Sequence, residues 1–301
     1  FRDRTKIDTS RAVTVTRNEE STNPNAGGKP CTLVKYPSPI GFVPLGAKRP
    51  DGSPHPHAGT GFALTPAAAW PKQTAQRFDS ATRKGITLFE RNEFYVHWEL
   101  HQLAYDGAAV RVLKSEKISF LDLLPGWSLS FGGMTSAIPD GDDLLFPISG
   151  GRPGKAVGAG ILRFARRAGT WHPVSFDQVT GADGLAGDPE ITQPGHGNTP
   201  EGAIEASLIR DVDGELLLGG RGRRNTGHPI RVWRSSEGGR RWKLALFTGG
   251  ISSSPVTLNQ AADGTPYIAA NRYQYETRVK GVPSIQFFRG KDGLPKPDGG
   301  T

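Results

Sequence analysis

Glu205–Trp242 reads EASLIRDVDGELLLGGRGRRNTGHPIRVWRSSEGGRRW, and its punctuation decides the fold class. Glu205–Arg210 is apolar with a polar edge. Asp213-Gly214 favours a tight hairpin, because both residues tolerate positive φ. Glu215–Gly219 returns as a second strand. The polar run Arg221–Pro229 leads to a third, Ile230–Ser235, and a turn over Ser235–Gly239 brings in a fourth, Trp242–Phe247. Three or four antiparallel strands therefore fit into about 45 residues, the size of one repeating sheet in a radially built all-β domain.

At its end the same stretch carries a recognisable spacing. Ser235-x-Glu237-x-Gly239-x-x-Trp242 resembles the Asp-box of the sialidase (BNR) β-propellers, with Glu in the usual Asp place. In such a box an acidic side chain caps its own turn, Gly takes the special φ, and Trp packs between strands. The box marks a fold rather than a chemistry. A second register carries the chemistry. Bacterial sialidases place a Glu, a strand, an Asp-Gly hairpin, a return strand and an Arg in order. Glu205 and Arg221 stand sixteen positions apart around Asp213-Gly214 in the same way. Both residues are then expected at the same end of two adjacent strands, which the resemblance makes the mouth of a propeller funnel.

Composition agrees with an all-β chain. Among 301 residues, Gly 40 and Pro 24 are high, yet short runs of Val, Ile, Leu, Phe and Trp recur, which suits many strands joined by turns. No sustained helical periodicity is present; Pro66–Ala75 is the best short helix candidate. No run of about 18 apolar residues exists, so no membrane span is expected. The single Cys31 excludes an internal disulfide framework and a multi-thiolate metal cluster. The net charge of +8 suits attraction to polyanions. Arg221–Arg224 and Arg240-Arg241 are the local basic clusters, but no nucleic-acid motif accompanies them. With no initiating Met or signal peptide, the start is expected to have been processed or trimmed.

Taken in order, Phe1–Lys29 is polar and partly irregular after one strand candidate, Ala12–Thr16, which could complete the last blade of a closed ring. Cys31–Tyr36 and Gly41–Ala47 are expected to form a hairpin with Gly59–Leu64 as its third strand. Gly85–Phe89, Phe94–Leu103 and Ala108–Leu113 are expected to form a second blade. On Phe94–Leu103, Tyr95, His97, Glu99 and His101 share one face by parity, a surface suited to sugar stacking or to acid–base chemistry. Trp127–Ile138, Leu144–Ile148, Gly158–Ala165 and Trp171–Val174 form the third blade. Arg166–Trp171 resembles a decayed box there. The long loop Gly181–Gly202 delivers Asp188, Glu190, His196 and Asn198 just before Glu205, and loops of that length are commonly functional. Ser254–Gln260, Pro266–Asn271 and Ser284–Phe288 open the fifth blade. The tail ends on Asp298-Gly299-Gly300-Thr301, where such a turn usually meets a Trp. The chain is therefore expected to stop in mid-motif, with the family's nucleophilic Tyr beyond it.

The resemblance implies a single five- or six-bladed β-propeller over 1–301 and assigns roles residue by residue. Sialic acid carries a carboxylate, which guanidinium groups grip through paired hydrogen bonds. Sialidases replace the usual second carboxylate with a Tyr nucleophile. A Glu takes the proton of that Tyr, and an Asp serves as general acid. Glu205 then serves as base, and Arg221 and Arg278 as carboxylate clamp, with Asn271 ahead of Arg278. The family's first arginine falls on Lys29 and its second on Arg49, and Asp51 is the acid candidate in the loop Arg49–His57. Lys29 departs from the pattern, because an ammonium cannot reproduce a planar fork. No metal or cofactor is implied. The partner is a glycan ending in an acidic sugar, and the location is extracellular or periplasmic. Two other readings stay open: a propeller that binds glycans or proteins without turnover, and a glycan lyase or hydrolase using His55, His57, His97, His101 and His196.

Overall fold

Nearly every element is a β-strand. The computed structural model describes residues 17–35, 40–49, 51–69, 72, 87–93, 95–119, 123, 129–132, 137–151, 158–180, 204–211, 213–221, 230–236, 239, 241–248, 257–260, 265–273 and 280–287. Chain contacts divide it into two compact units, Phe1–Pro37 with Val43–Ile118, and Ser38–Phe42 with Ser119–Thr301. No described helix is long and apolar enough to cross a membrane. The expected strand Ala12–Thr16, the loop Gly181–Gly202 and the tail motif at Asp298–Thr301 lie outside the described residues.

In the first unit, β1 (Glu19–Asn23) and β2 (Lys29–Lys35) form a hairpin around a short 3-10 turn at Pro24–Ala26. Asn23 caps that turn by accepting from the Asn25 amide at 2.9 Å. The strand β3 (Ile40–Phe42) belongs by its contacts to the second unit. Next come β4 (Thr60–Ala69), β5 (Tyr95–Tyr105) and β6 (Val110–Ile118), and the sheet runs β1-β2-β4-β5-β6. Among the described residues, β2 joins β4 through Val34↔Ala68 and Lys35↔Ala67. By contrast, β4 and β5 pair along their length, from Thr60↔Ala104 to Ala69↔Tyr95. Two expectations are corrected here. The first two predicted blades share one sheet, because β4 is buried from Gly61 to Ala69 and so needs neighbours on both edges and both faces. The helix candidate Pro66–Ala75 is instead the end of β4 as far as Ala69. Small alanines fit this crowded strand, and packing overrides helix propensity.

The second unit is a series of antiparallel meanders. Strands β7 (Leu129–Gly132), β8 (Ile138–Asp140), β9 (Asp143–Gly151), β10 (Gly158–Arg167) and β11 (Thr170–Thr180) form one sheet in the order β11-β10-β9-β7, with β8 also on β9. A second contains β12 (Ile204–Arg210), β13 (Leu216–Arg221), β14 (Ile230–Ser236) and β15 (Arg241–Thr248), and a third β16 (Thr257–Gln260), β17 (Pro266–Tyr273) and β18 (Lys280–Phe287). The middle sheet is covered on both faces. Ala206, Leu208, Leu216, Leu218 and Trp233 pack against Leu145, Ala159, Ile161 and Val179 of the preceding sheet. On the opposite face a Cβ added to Gly219 would lie 2.8 Å from Leu258 of β16, so that face is closed as well. This explains why β13 reads LLLGG without alternation: both parities are buried.

Charged turns fasten these sheets to one another. Asp140 accepts from Arg163 at 2.8 Å and from Arg210 of the next sheet at 2.6 Å. Gln260 of the third sheet donates to the Arg210 carbonyl. The Asp213-Gly214 turn differs from the expected two-residue form. Asp211 and Glu215 close it, with Asp211 N–H donating to Glu215 O at 2.9 Å, and among its described residues only Gly214 takes positive φ, +82°. The buried Asp211 carboxylate accepts from the Asp213 and Glu215 amides and from Arg234, so it organises a three-residue loop instead.

Candidate functional site

The hairpin of β12 and β13 positions the first group of candidates. From Ser207↔Gly219 to Arg210↔Leu216 its register is regular, and extrapolated by two residues it would set Glu205 opposite Arg221. The strands depart from that register between Ile204 and Ser207, where β12 holds one extra residue, and Ile204 pairs with Arg221. Glu205 and Arg221 therefore stand at the same end of adjacent strands, one position out of register across a bulge. Bulges of this kind re-aim side chains and are frequent beside active sites. Asn271 lies near the end of β17, opposite Pro283 of β18, where the register is again irregular before Tyr273. Arg278 lies outside the described residues.

The turn that closes the box-like segment is partly described. Gly239 has φ +96°, and the Trp242 indole donates to Gly239 O at 2.8 Å while its ring packs against the core between the two sheets. Glu237 lies outside the described residues.

Lys29, Arg49 and Asp51 all lie in the first unit. Lys29 opens β2 and is largely exposed, paired with Glu93 at 3.3 Å. Arg49 and Asp51 sit on a turn fastened by hydrogen bonds from Gly52 N–H to Arg49 O and from Arg49 N–H to Ser53 O, each 2.9 Å. The exposed Asp51 carboxylate accepts from the Ser53 hydroxyl at 2.6 Å and from the Ser53 amide at 2.9 Å. These bonds hold its pKa below the ordinary carboxylate value, opposite to what a general acid requires. In the same loop His55 is buried, and its Nδ1 accepts from the His57 amide at 3.1 Å.

A denser polar group occupies the face of β5 singled out by parity. The Glu99 carboxylate accepts from Lys35 at 2.6 Å and faces His97 Nε2 at 3.2 Å and His101 Nε2 at 3.8 Å. Lys35 also pairs with Glu19 of β1, and only 6% of its side chain is exposed. On the other flank His101 Nδ1 lies 2.8 Å from the Ser115 hydroxyl, and Lys117 donates to the Tyr95 hydroxyl at 3.2 Å. Three atoms on this face are buried without a hydrogen-bond partner: Thr65 Oγ1, His97 Nδ1 and His101 Nε2. Burial pushes both imidazoles below their ordinary pKa, so both are neutral near pH 7, against the opposing pull of Glu99. Burial also opposes ionisation of Glu99, but the bonds from Lys35 and His97 outweigh it and lower its pKa. With Nε2–H of His97 turned to the carboxylate, Nδ1 is left as the basic lone pair, buried and without a hydrogen-bond partner.

Parity alone identified the residues of β5, but Lys35, Thr65, Ser115 and Lys117 come from three other strands. The one sequence signal for Lys35 is a lone charge closing the apolar strand CTLVK. Among the described residues, no group of three His, Cys, Asp or Glu side chains is arranged to hold a metal ion.

No protein-family model matches the chain, and no curated protein matches it by sequence. Similar solved structures include the Hadza microbial sialidase Hz136, at 15% identity over 71% of this chain and 37% of that one, with a TM-score of 0.40. Another is the xylan β-1,4-xylosidase from Bacillus halodurans C-125, at 13% identity over 79% of this chain and 41% of that one, TM-score 0.44. A third is a PL25 ulvan lyase bound to -[GlcA(1-4)Rha3S]-, at 10% identity over 94% of this chain and 57% of that one, TM-score 0.45. The chain thus spans well under half the length of the sialidase and the xylosidase.

Proposed function

We propose that the chain belongs to a sialidase-type β-propeller of five or six blades that hydrolyses a terminal acidic sugar from a glycan, working outside the cytoplasm. The observation that carries this reading is the placement of Glu205 and Arg221 at one end of adjacent strands in a sheet enclosed by its neighbours. Glu205 is the proton acceptor for the nucleophile, and Arg221 and Arg278, with Asn271, grip the carboxylate.

The test is turnover of a chromogenic sialoside by the full-length protein, beside an uncharged glycoside. Glu205→Gln is expected to lower kcat by about 10²–10⁴, the usual contribution of a positioned acid–base group. Arg221→Lys is expected to act mainly on KM, because the paired grip on the carboxylate is lost. Undiminished turnover by Glu205→Gln removes the proposed base. Sialoside binding without turnover in the full-length protein, with the segment expected to carry the nucleophilic Tyr, assigns the chain to the non-catalytic binders. A second reading, a histidine-using glycan lyase or hydrolase, is supported by the Glu99–His97 pair. It requires that His97→Gln, and not Glu205→Gln, abolish activity on a uronate-containing glycan.

A further inference from the structure

Several contacts keep the β1–β2 hairpin on its sheet. Among the described residues, backbone pairing with β4 supplies Val34↔Ala68 and Lys35↔Ala67. Apolar contact supplies a small cluster in which Cys31 and Leu33 of β2 meet Ala67, Ala69 and Phe89. At one end Asn23 donates to the Glu93 carbonyl at 2.7 Å and Lys29 pairs with the Glu93 carboxylate at 3.3 Å; at the other the tie is ionic. Lys35 at the end of β2 is held between Glu19 of β1 and Glu99 of β5, reaching across β4 to do so. Glu99 is in turn the group toward which both buried imidazoles turn their Nε2 atoms. Side chains of 2% exposure at His101 and 12% at His97 have almost no water to screen a new charge.

We propose that this cluster is an acid-released clasp, which holds the β1–β2 hairpin while His97 and His101 are neutral and loosens it when they take up protons. The charges facing the imidazoles are few. From β5 come Glu99 and the Tyr95 phenol, from β2 Lys35, from β1 Glu19 through Lys35, and from β6 Lys117. The residues of β4 opposite them in register, Ala67 and Ala63, cannot titrate, and neither can Thr65 beside Glu99. One carboxylate would then face two imidazolium ions and the Lys35 ammonium. His97 Nδ1, already without a partner, would carry a proton with nothing to receive it, while His101, whose Nε2 faces Glu99 at 3.8 Å, would compete with Lys35 for that carboxylate. Such charges are relieved by admitting water and by releasing Lys35, which ties β5 to the hairpin.

The sign follows from proton uptake. Burial lowers both imidazoles below their ordinary 6.5, so the opened form binds more protons than the closed form below that pH. The opening equilibrium therefore rises as pH falls from 6.5, by up to about tenfold per pH unit for each imidazole. The hairpin carries Lys29, so its release would also displace that amine from Glu93.

Amide hydrogen exchange of the full chain tests the clasp, compared between about pH 7.5 and pH 5 after correction for intrinsic rates. The expected result is loss of protection in Glu19–Lys35 at the lower pH, with β4 and β5 retained. In the double variant His97→Gln/His101→Gln this pH response should flatten. An unchanged response in that variant overturns the proposal, as does protection loss spread evenly over β4–β6. Should the variant fold poorly, imidazole titration by NMR in the unaltered protein decides: both rings titrating at or above 6.5 would remove the proton uptake on which the clasp depends.

Discussion

Ala168 is the one described residue other than glycine with positive φ, at +47°. With Gly169 at +81° it forms the two-residue link between Arg167 of β10 and Thr170 of β11. Left-handed turns of this kind match the twist of the flanking strands, and their first position prefers Asn, Asp or Gly. An alanine there carries a cost of about 1–2 kcal/mol from its Cβ. Ala168→Asn should therefore stabilise the second unit by about 0.5–1 kcal/mol, visible as a higher denaturant midpoint with unchanged slope. The same bookkeeping by residue accounts for Asp211. Its 1% exposed carboxylate is saturated by two amides and Arg234, so it stabilises one loop conformation rather than serving as a free acid.

At the scale of elements, close approach governs what the strands tolerate. Gly160 of β10 lies at a register shift against β11, and a Cβ there would sit 2.5 Å from the Phe176 ring and 2.6 Å from Asp177 O. The ring could turn, but the backbone oxygen belongs to the paired strand. Gly160→Ala should cost about 2–3 kcal/mol by overpacking, measurable by chemical denaturation. Gly219→Ala meets only the branched end of Leu258 at 2.8 Å, which can adjust, and should cost less. The strands of this unit were largely legible in its sequence. The stretch from Glu205 to Phe247 yields all four strands of the middle sheet to within two residues, because Asp-Gly and Gly-Gly turns interrupt apolar runs. The first unit was less legible. Its pairing of β2 with β4 is decided by what covers the all-buried β4, and its Pro-Ala run reads as helix when local propensity is considered alone.

For the whole molecule, charge is the property that acts at a distance. A net +8 on 301 residues should accelerate encounter with an anionic glycan. Screening shortens that reach to about 8 Å near physiological salt. If the acidic-sugar reading holds, kcat/KM on a sialoside should fall as ionic strength rises, while binding of an uncharged glycoside stays level. Parallel curves for the two substrates would show that the charge does not guide substrate. The candidate site was legible to different depths at this scale. Spacing around one hairpin is local information, and it placed Glu205 and Arg221 at one strand end; the bulge that shifts their register left no mark in composition or parity.

By itself the sequence determined that the described elements are almost all β-strands, where several hairpins turn, and which residues of β5 share a face, because alternation and turn chemistry act between near neighbours. Only the tertiary structure decided which strands become partners, that the middle sheet is enclosed on both faces, and that Lys35, Glu19 and Ser115 meet the Glu99 face. Those contacts join residues far apart along the chain. They are chosen by packing and by the burial of charge, which no short window of sequence contains.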